Sequence, residues 1–443
     1  MILKAFARAL LVGVCLVPAS VSARPFDPAA TRIAIDAQVD RMTPALDALY
    51  KDLHEHPELG FKELRTAALL ANRMRKLGFE VTEKVGGTGV VAIYRNGDGP
   101  TVMVRTDLDG LPMEEKTGLP YASRVKTEYN GKPTFVTHAC GHDVHMTWWI
   151  GTAEALLKVK DQWHGTLMFV GQPAEELVSG ADAMIKDGFL SRFPKPDYGF
   201  AAHVSTSPTG TITIKEGAAT SAVDGLEIIF KGRGGHGSMP QTTIDPIIEA
   251  SRFVTDVQTV ISREKDPAEF GVVTVGVFQA GSVGNIIPDE ARLQLSMRSF
   301  SPKVRELLLD GVKRTADASA AALKAPSPEI RHLVGAASVL NDTALTAKTA
   351  DALRRAGGDE VVVIPLSAPG SSGSEDYSAF VEAGIPSVYM MIGGFDAALI
   401  EDYKRRGEPV PSNHSPFFAP DAMKAVKVGV SALSISVISA MSK

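Results

Sequence analysis

Cysteine is nearly missing from this 443-residue chain: there are two, Cys15 and Cys140. Basic charge is not in surplus, with 46 Lys and Arg against 51 Asp and Glu and a net charge of −5. Scarce cysteine excludes a disulfide-built scaffold. The missing basic surplus excludes nucleic acid as a partner on electrostatic grounds. What remains is ordinary globular composition, 44% hydrophobic and 22% charged. The chain is too long for one ordinary core, so two domains are expected.

The first 23 residues, MILKAFARALLVGVCLVPASVSA, stand apart. Lys4 and Arg8 precede the apolar run Ala9 to Val17, and Val21-Ser22-Ala23 offers a small-residue cleavage site. That is the pattern of a secretory signal peptide, and the run falls far short of the roughly 20 residues that span a bilayer. An exported protein, periplasmic or secreted and without a stable membrane anchor after cleavage, is the expectation. The mature chain then keeps a single thiol, Cys140. In an oxidising compartment a lone thiol is a liability unless it is buried or occupied.

Cys140 lies in HACGHDVH (His138 to His145), which packs three imidazoles, the thiol and a carboxylate into eight residues. A bound metal accounts for both the cluster and the thiol. If the segment is extended, Cys140 and His142 face the same side. Two further stretches read as strand ends: GQPAEE (Gly171 to Glu176) after the apolar run Leu167 to Val170, and His203 after Tyr198 to Ala202. Open α/β sheets gather such groups at the carboxyl ends of their strands. Asn413-His414-Ser415-Pro416 lies in a loop before the last helix. Adjacent carboxylates such as Glu175 and Glu176 repel unless a cation sits between them. In an extended turn they point apart, so one can bind metal while the other takes a proton from water that the metal acidifies. Imidazole and thiolate suit zinc, manganese, cobalt or nickel. Taken alone, His203 reads as an ordinary core histidine and the Glu pair as solvated; their joint occurrence with Cys-x-His favours metal. His54, His56, His164 and His332 have no such context and read as structural or surface residues.

Periodicity predicts helices over Leu46 to His54, Glu63 to Leu77 and Met146 to Lys158, with strands over Val90 to Tyr94, Val102 to Val104, Leu167 to Val170 and Tyr198 to Ala202. That is an α/β sheet covered on both faces. From about Ser221 the order becomes β-α-β-β-α-β: Leu226 to Lys231, Pro246 to Ile261, Gly271 to Phe278, Ala291 to Met297, Val304 to Leu323 and Ile330 to Val334. After Gly335 the α/β pattern resumes. The divisions are a signal peptide over 1–23, a first catalytic part over 24–217, an inserted domain over 218–334, and a second catalytic part over 335–443.

LHEHPELGF (Leu53 to Phe61), RTDLDGLP (Arg105 to Pro112), HACGHDVH, GQPAEE, GGHGSMPQTTIDPI (Gly234 to Ile247), NIIP (Asn285 to Pro288) and SGSEDYSAF (from Ser372) together resemble the metal-dependent amidohydrolases. That family takes in hippurate hydrolases, N-acyl-amino-acid amidohydrolases, aminoacylase-like carboxypeptidases and auxin-conjugate hydrolases. The resemblance implies a zinc-exopeptidase-like α/β domain with an inserted ferredoxin-like domain serving as lid and dimer interface, in a homodimer. It implies two divalent ions held by Cys140, His142, Glu176, His203 and His414, with Cys140 bridging. Glu175 would be the general base, and His236 would steady the oxyanion, from its own subunit or from the other. Asn285 and Arg298 would hold the substrate carboxylate, and Asp107, His138 and Asp143 would orient ligands. The implied substrates are N-acyl amino acids or small peptides.

Two other functions compete. Gly232 to Gly237 fits G-x-G-x-x-G, but Pro240 and a polar run follow where a dinucleotide site needs a helix. A non-catalytic periplasmic metal-binding protein would use the ligands but have no need of Glu175 or a mobile lid histidine.

Overall fold

The computed structural model describes residues 26–442, so the expected signal segment lies outside the described residues. Helix α1 (Pro28–Glu55) opens on the Asp27 carboxylate, which accepts from Ala29 N and Ala30 N, with Pro28 in the first turn where its missing N–H costs nothing. It starts well before the expected Leu46. Helix α2 (Leu64–Lys76) and strands β1 (Glu80–Val85), β2 (Gly89–Asn96) and β3 (Thr101–Asp107) follow. Helix α3 (His142–Lys158) and strands β4 (Gly165–Gln172), β5 (Tyr198–Pro208) and β6 (Thr211–Lys215) complete the first part.

The inserted unit comprises β7 (Ala222–Lys231), α4 (Pro246–Asp256), β8 (Gly271–Ala280), β9 (Glu290–Ser299), α5 (Pro302–Ala322) and β10 (Glu329–Ala336). Helix α6 (Thr343–Ala356), strands β11 (Glu360–Ile364) and β12 (Ser387–Phe395) and helix α7 (Ala422–Met441) return to the first body.

The large sheet has the order β1-β2-β4-β3-β5-β12-β6-β11. Its centre, β4-β3-β5-β12, is parallel, and antiparallel pairs flank it at β2 and β6. Every residue of β3 is buried, as a strand covered on both faces requires. One face packs against α1, α3, α6 and α7, and the other against a cluster containing Phe189, Tyr377, Phe380 and Tyr389. Helix α7 is the one described helix long and apolar enough to cross a membrane, with mean hydropathy 1.4. It packs on α1, α3 and α6, and its apolar circumference reflects burial on every side.

The inserted sheet, ordered β8-β9-β7-β10, is wholly antiparallel and carries α4 and α5 over a core including Phe230, Phe253, Leu293 and Val312. The ferredoxin-like order expected from sequence is thus present. The Arg305 guanidinium clamps the Asp224 carboxylate with two 2.8 Å bonds, tying α5 to β7. Helix α4 ends at Asp256 rather than Ile261, and Val260–Glu264 forms a separate wider turn.

Candidate metal centre

Three expected local conformations are corrected by the structure. Cys140 and His142 do not lie in an extended segment. Gly141 takes a left-handed φ of 90° and starts α3, so His142 is the first helical residue, four earlier than expected. A Cβ at Gly141 would come within 2.4 Å of Val204 Cγ1, so only glycine fits this turn. Strand β5 runs to Pro208, so His203 lies inside it rather than after it. Glu175 and Glu176 do not simply diverge: Glu175 Oε2 and Glu176 Oε1 each lie 3.8 Å from His142 Nε2.

The Pro173-to-Val178 turn that presents them is held by buried acids. Glu63 accepts from Ala174 N at 2.8 Å, and the two Asp109 oxygens accept from Glu175 N and Glu176 N at 3.1 and 3.0 Å. Ala174 has a positive φ of 49°, and Gly180 sits so close to the Pro173 carbonyl that a Cβ there would lie 1.5 Å from its oxygen. The turn is therefore strained and externally determined.

Hydrogen bonds aim the imidazoles. His142 Nδ1 donates to the Asp109 carbonyl at 2.7 Å, and His203 Nδ1 donates to the Val204 carbonyl at 2.8 Å. Both rings so turn Nε2 inward as a lone-pair donor. His203 Nε2 is 3.4 Å from Cys140 Sγ. His414 has a left-handed φ of 68°, its N–H donates to the Ala139 carbonyl, and Asn413 Nδ2 donates to the Cys140 carbonyl at 2.9 Å. These bonds staple the distant loop to the Cys140 turn, and His414 Nε2 comes 3.3 Å from Glu176.

Two triads share Cys140: with His142 and His203, and with Glu176 and His414, the donor atoms in each lying within 4.8 Å of one another. His142 Nε2 and Glu176 Oε1 are buried without a hydrogen-bond partner. Burial, with Glu375 and Glu176 beside it, pushes the Glu175 carboxyl well up, and burial also raises Glu176, to about 7. Burial and the neighbouring acids raise the Cys140 thiol likewise. His142 loses stability as a cation through burial, but Asp107 and the other acids outweigh this and lift it to about 10. Orphaned soft and borderline donors in a surplus of buried negative charge fit divalent cations.

Several supports were missed by sequence reasoning. Buried Arg105 binds Asp107 at 2.8 Å, Glu375 at 2.7 Å and Gln172 at 2.8 Å, and Tyr389 donates to Glu375 at 2.9 Å. Arg105 and Glu375 lie inside RTDLDGLP and SGSEDYSAF, yet neither motif revealed which of its residues would meet. Asp107 accepts from His145 Nδ1 at 2.8 Å, and His145 Nε2 accepts from Val204 N at 2.9 Å. Asp107 therefore supports His145 directly, while its other oxygen stays 3.8 Å from His142 Nε2.

Asp143 does not orient a ligand. It binds His54 Nδ1 at 2.6 Å, and Glu115 binds His54 Nε2 at 3.1 Å. His138 is buried with both ring nitrogens unpartnered, so its side chain makes no bond to any ligand. Arg298, half-buried, reaches the cavity of about 490 Å³ beside these groups and donates to Ser374 Oγ. Gly235–His236 pairs with Ile286–Ile287, and Gly237 N donates to the Asn285 carbonyl at 2.9 Å, which brings His236 and Asn285 into one region, but neither lines this cavity within one chain. The Gly232-to-Gly237 run leads into Pro240–Thr242, and α4 begins only at Pro246, which removes the helix a dinucleotide site would need.

The profile of peptidase family M20/M25/M40 matches residues 103–431. N-acetylcysteine deacetylase of Bacillus subtilis is 34% identical over 352 residues, covering 77% of this chain and 86% of that protein. Hippurate hydrolase of Campylobacter jejuni is 37% identical over 297 residues, 66% of this chain and 74% of that one. A solved dinuclear metal-binding M20 peptidase of Bacillus subtilis superposes with TM-score 0.72 and 29% identity, over 91% of this chain and 99% of the other. The chain belongs to this peptidase family. It is a metal-dependent hydrolase acting on amide C–N bonds, and its cofactors are divalent metal ions.

Proposed function

We propose that the protein hydrolyses the amide bond of N-acyl amino acids or small peptides, with two ions held by Cys140, His142, Glu176, His203 and His414. The observation that carries this reading is the convergence of those donors beside Glu175, with Arg298 on the same cavity. When bound, the ions supply Lewis acidity that polarises the scissile carbonyl and acidifies the attacking water. Glu175 takes the proton from that water and delivers it to the leaving amine. Arg298 has no carboxylate partner among the described residues and receives the substrate's carboxylate, with Asn285 assisting when the lid closes. The names of the deacetylase and hippurate-hydrolase relatives support this substrate class. The test is a screen of N-acetyl and N-benzoyl amino acids and dipeptides with manganese, zinc, cobalt and nickel. Turnover should appear and should be lost in Glu175→Ala. Metal binding without turnover of any of these would reject this substrate class.

We further propose a homodimer in which His236 reaches the partner's cavity and donates to the developing oxyanion. His236 is exposed, and Met239, Val283 and Ile286 beside it are apolar yet 53%, 54% and 57% exposed. Such a patch supports docking of a second copy. Mixing inactive His236→Ala with inactive Glu175→Ala should restore part of the activity; failure in verified heterodimers sinks delivery in trans. Export is proposed on the pattern around Lys4, Arg8 and Ala23. Fractionation finding full-length protein only in the cytoplasm would reject it.

A further inference from the structure

A second cavity, of about 550 Å³, lies away from the metal donors where the chain passes between its two bodies. Gly217 and Ala218 on the outgoing crossing and Leu340 on the returning one line it, and Leu340 pairs with Ala218. Phe270 and Phe300 form an aromatic wall, their ring centroids 4.7 Å apart. Leu366, 71% exposed, stands at the other side. The polar element is Lys215, the last residue of β6, which is only 6% exposed. Its amine donates to the backbone carbonyl of Glu216; the nearby Glu216 carboxylate favours its charge, but no carboxylate among the described residues forms an ion pair with it. The Glu216 carboxylate is engaged elsewhere, accepting from Leu366 N at 3.1 Å. Glu269, half-buried, is the one acid on the cavity wall.

We infer that this second cavity binds a small apolar carboxylate, its acid group paired with Lys215 and its aromatic or aliphatic body against Phe270, Phe300, Leu340 and Leu366. A partly shielded ammonium with no ion-pair partner gains from a charge-assisted bond to a carboxylate. The volume falls within the roughly 300–1,000 Å³ typical of small-molecule sites, and aromatic walls with one placed charge match their usual lining. The segment Leu366 to Gly370 that walls this cavity continues directly into Ser371, Gly373 and Ser374, which wall the catalytic one. The two cavities are therefore walled by consecutive stretches of one loop.

The inference does not depend on which amide the enzyme cleaves, and its test reads binding directly. Metal-loaded protein is titrated calorimetrically with phenylacetate and with the uncharged phenylacetamide. Phenylacetate should bind, with phenylacetamide about tenfold weaker or more, the loss of one charge-assisted bond. Lys215→Met should weaken phenylacetate by a similar factor. Leu366→Trp, at an exposed position that tolerates bulk, should fill the mouth and abolish binding. Both variants lie outside the catalytic cavity, so a carboxylate held at the metals would bind them as it binds wild type. Unchanged binding in both variants, or no heat of binding by wild type at millimolar phenylacetate, overturns the inference.

Discussion

Asp109 offers the sharpest test of how the carboxylate pair is held. It is fully buried, and its two oxygens receive the N–H groups of Glu175 and Glu176 at 3.1 and 3.0 Å. Asp109→Asn keeps one acceptor but turns an NH₂ toward the other backbone N–H. One charge-assisted bond worth about 1.5–3 kcal/mol is lost, and a buried N–H left unpaired costs about 1–3 kcal/mol more. Local relaxation recovers part of this, so destabilisation of about 3 kcal/mol is expected in metal-free protein. The His142 bond survives, because it goes to the Asp109 main-chain carbonyl. Metal affinity should nevertheless fall about 10–100-fold, because the turn carrying Glu176 loosens. Urea unfolding of chelator-treated protein reads the first effect, and competition with a chelator of known affinity reads the second. Stability within about 0.5 kcal/mol of wild type together with unchanged metal affinity would refute the cradle.

Glu175→Ala should retain metal and lose turnover by about 10²–10⁴-fold, as for a general base, while Glu176→Ala should lose metal first. Elemental analysis beside steady-state kinetics separates them, and the reverse pattern swaps the two roles. Cys140→Ala should lower bound metal and abolish hydrolysis; wild-type metal content and rate would remove Cys140 from the centre. For His54, burial lowers the pKa, but bonds to Asp143 and Glu115 outweigh it and raise the imidazole to about 10. The unfolded value is about 6.5, so its stabilisation is complete below that pH and is lost as pH rises through about 10. His54→Leu should be destabilised by about 3–5 kcal/mol near neutrality, because it strands two buried acids, and should lack that alkaline decline. Unfolding free energies measured from about pH 6 to 10 that fall equally in both proteins would disprove the ion pair.

Residue type and order by themselves determined the class of chemistry. Cys140, His142, Glu175, Glu176, His203 and His414 carry their ligating and proton-accepting groups wherever they fold, and the 2.0 and 3.6 periods marked out the sheet and the inserted β-α-β-β-α-β unit. Local conformation was less legible. The left-handed Gly141 advances the start of α3 to His142, and the strained turn after Pro173 brings two acids onto one imidazole. Neither follows from hydrophobic patterning, because each conformation is imposed by contacts with Val204, Glu63 and Asp109. The partners of Asp143 were beyond sequence for the same reason. His54 is 89 positions away and reads as an isolated histidine until α1 packs on α3. Arg105 and Glu375, separated by 270 positions, meet because the fold brings β3 against the segment before β12, with Glu375 on the cavity wall and Arg105 buried behind it. Spacing along the chain constrains such encounters only through loop closure, whose cost grows slowly with length, so tertiary packing alone selected these pairs.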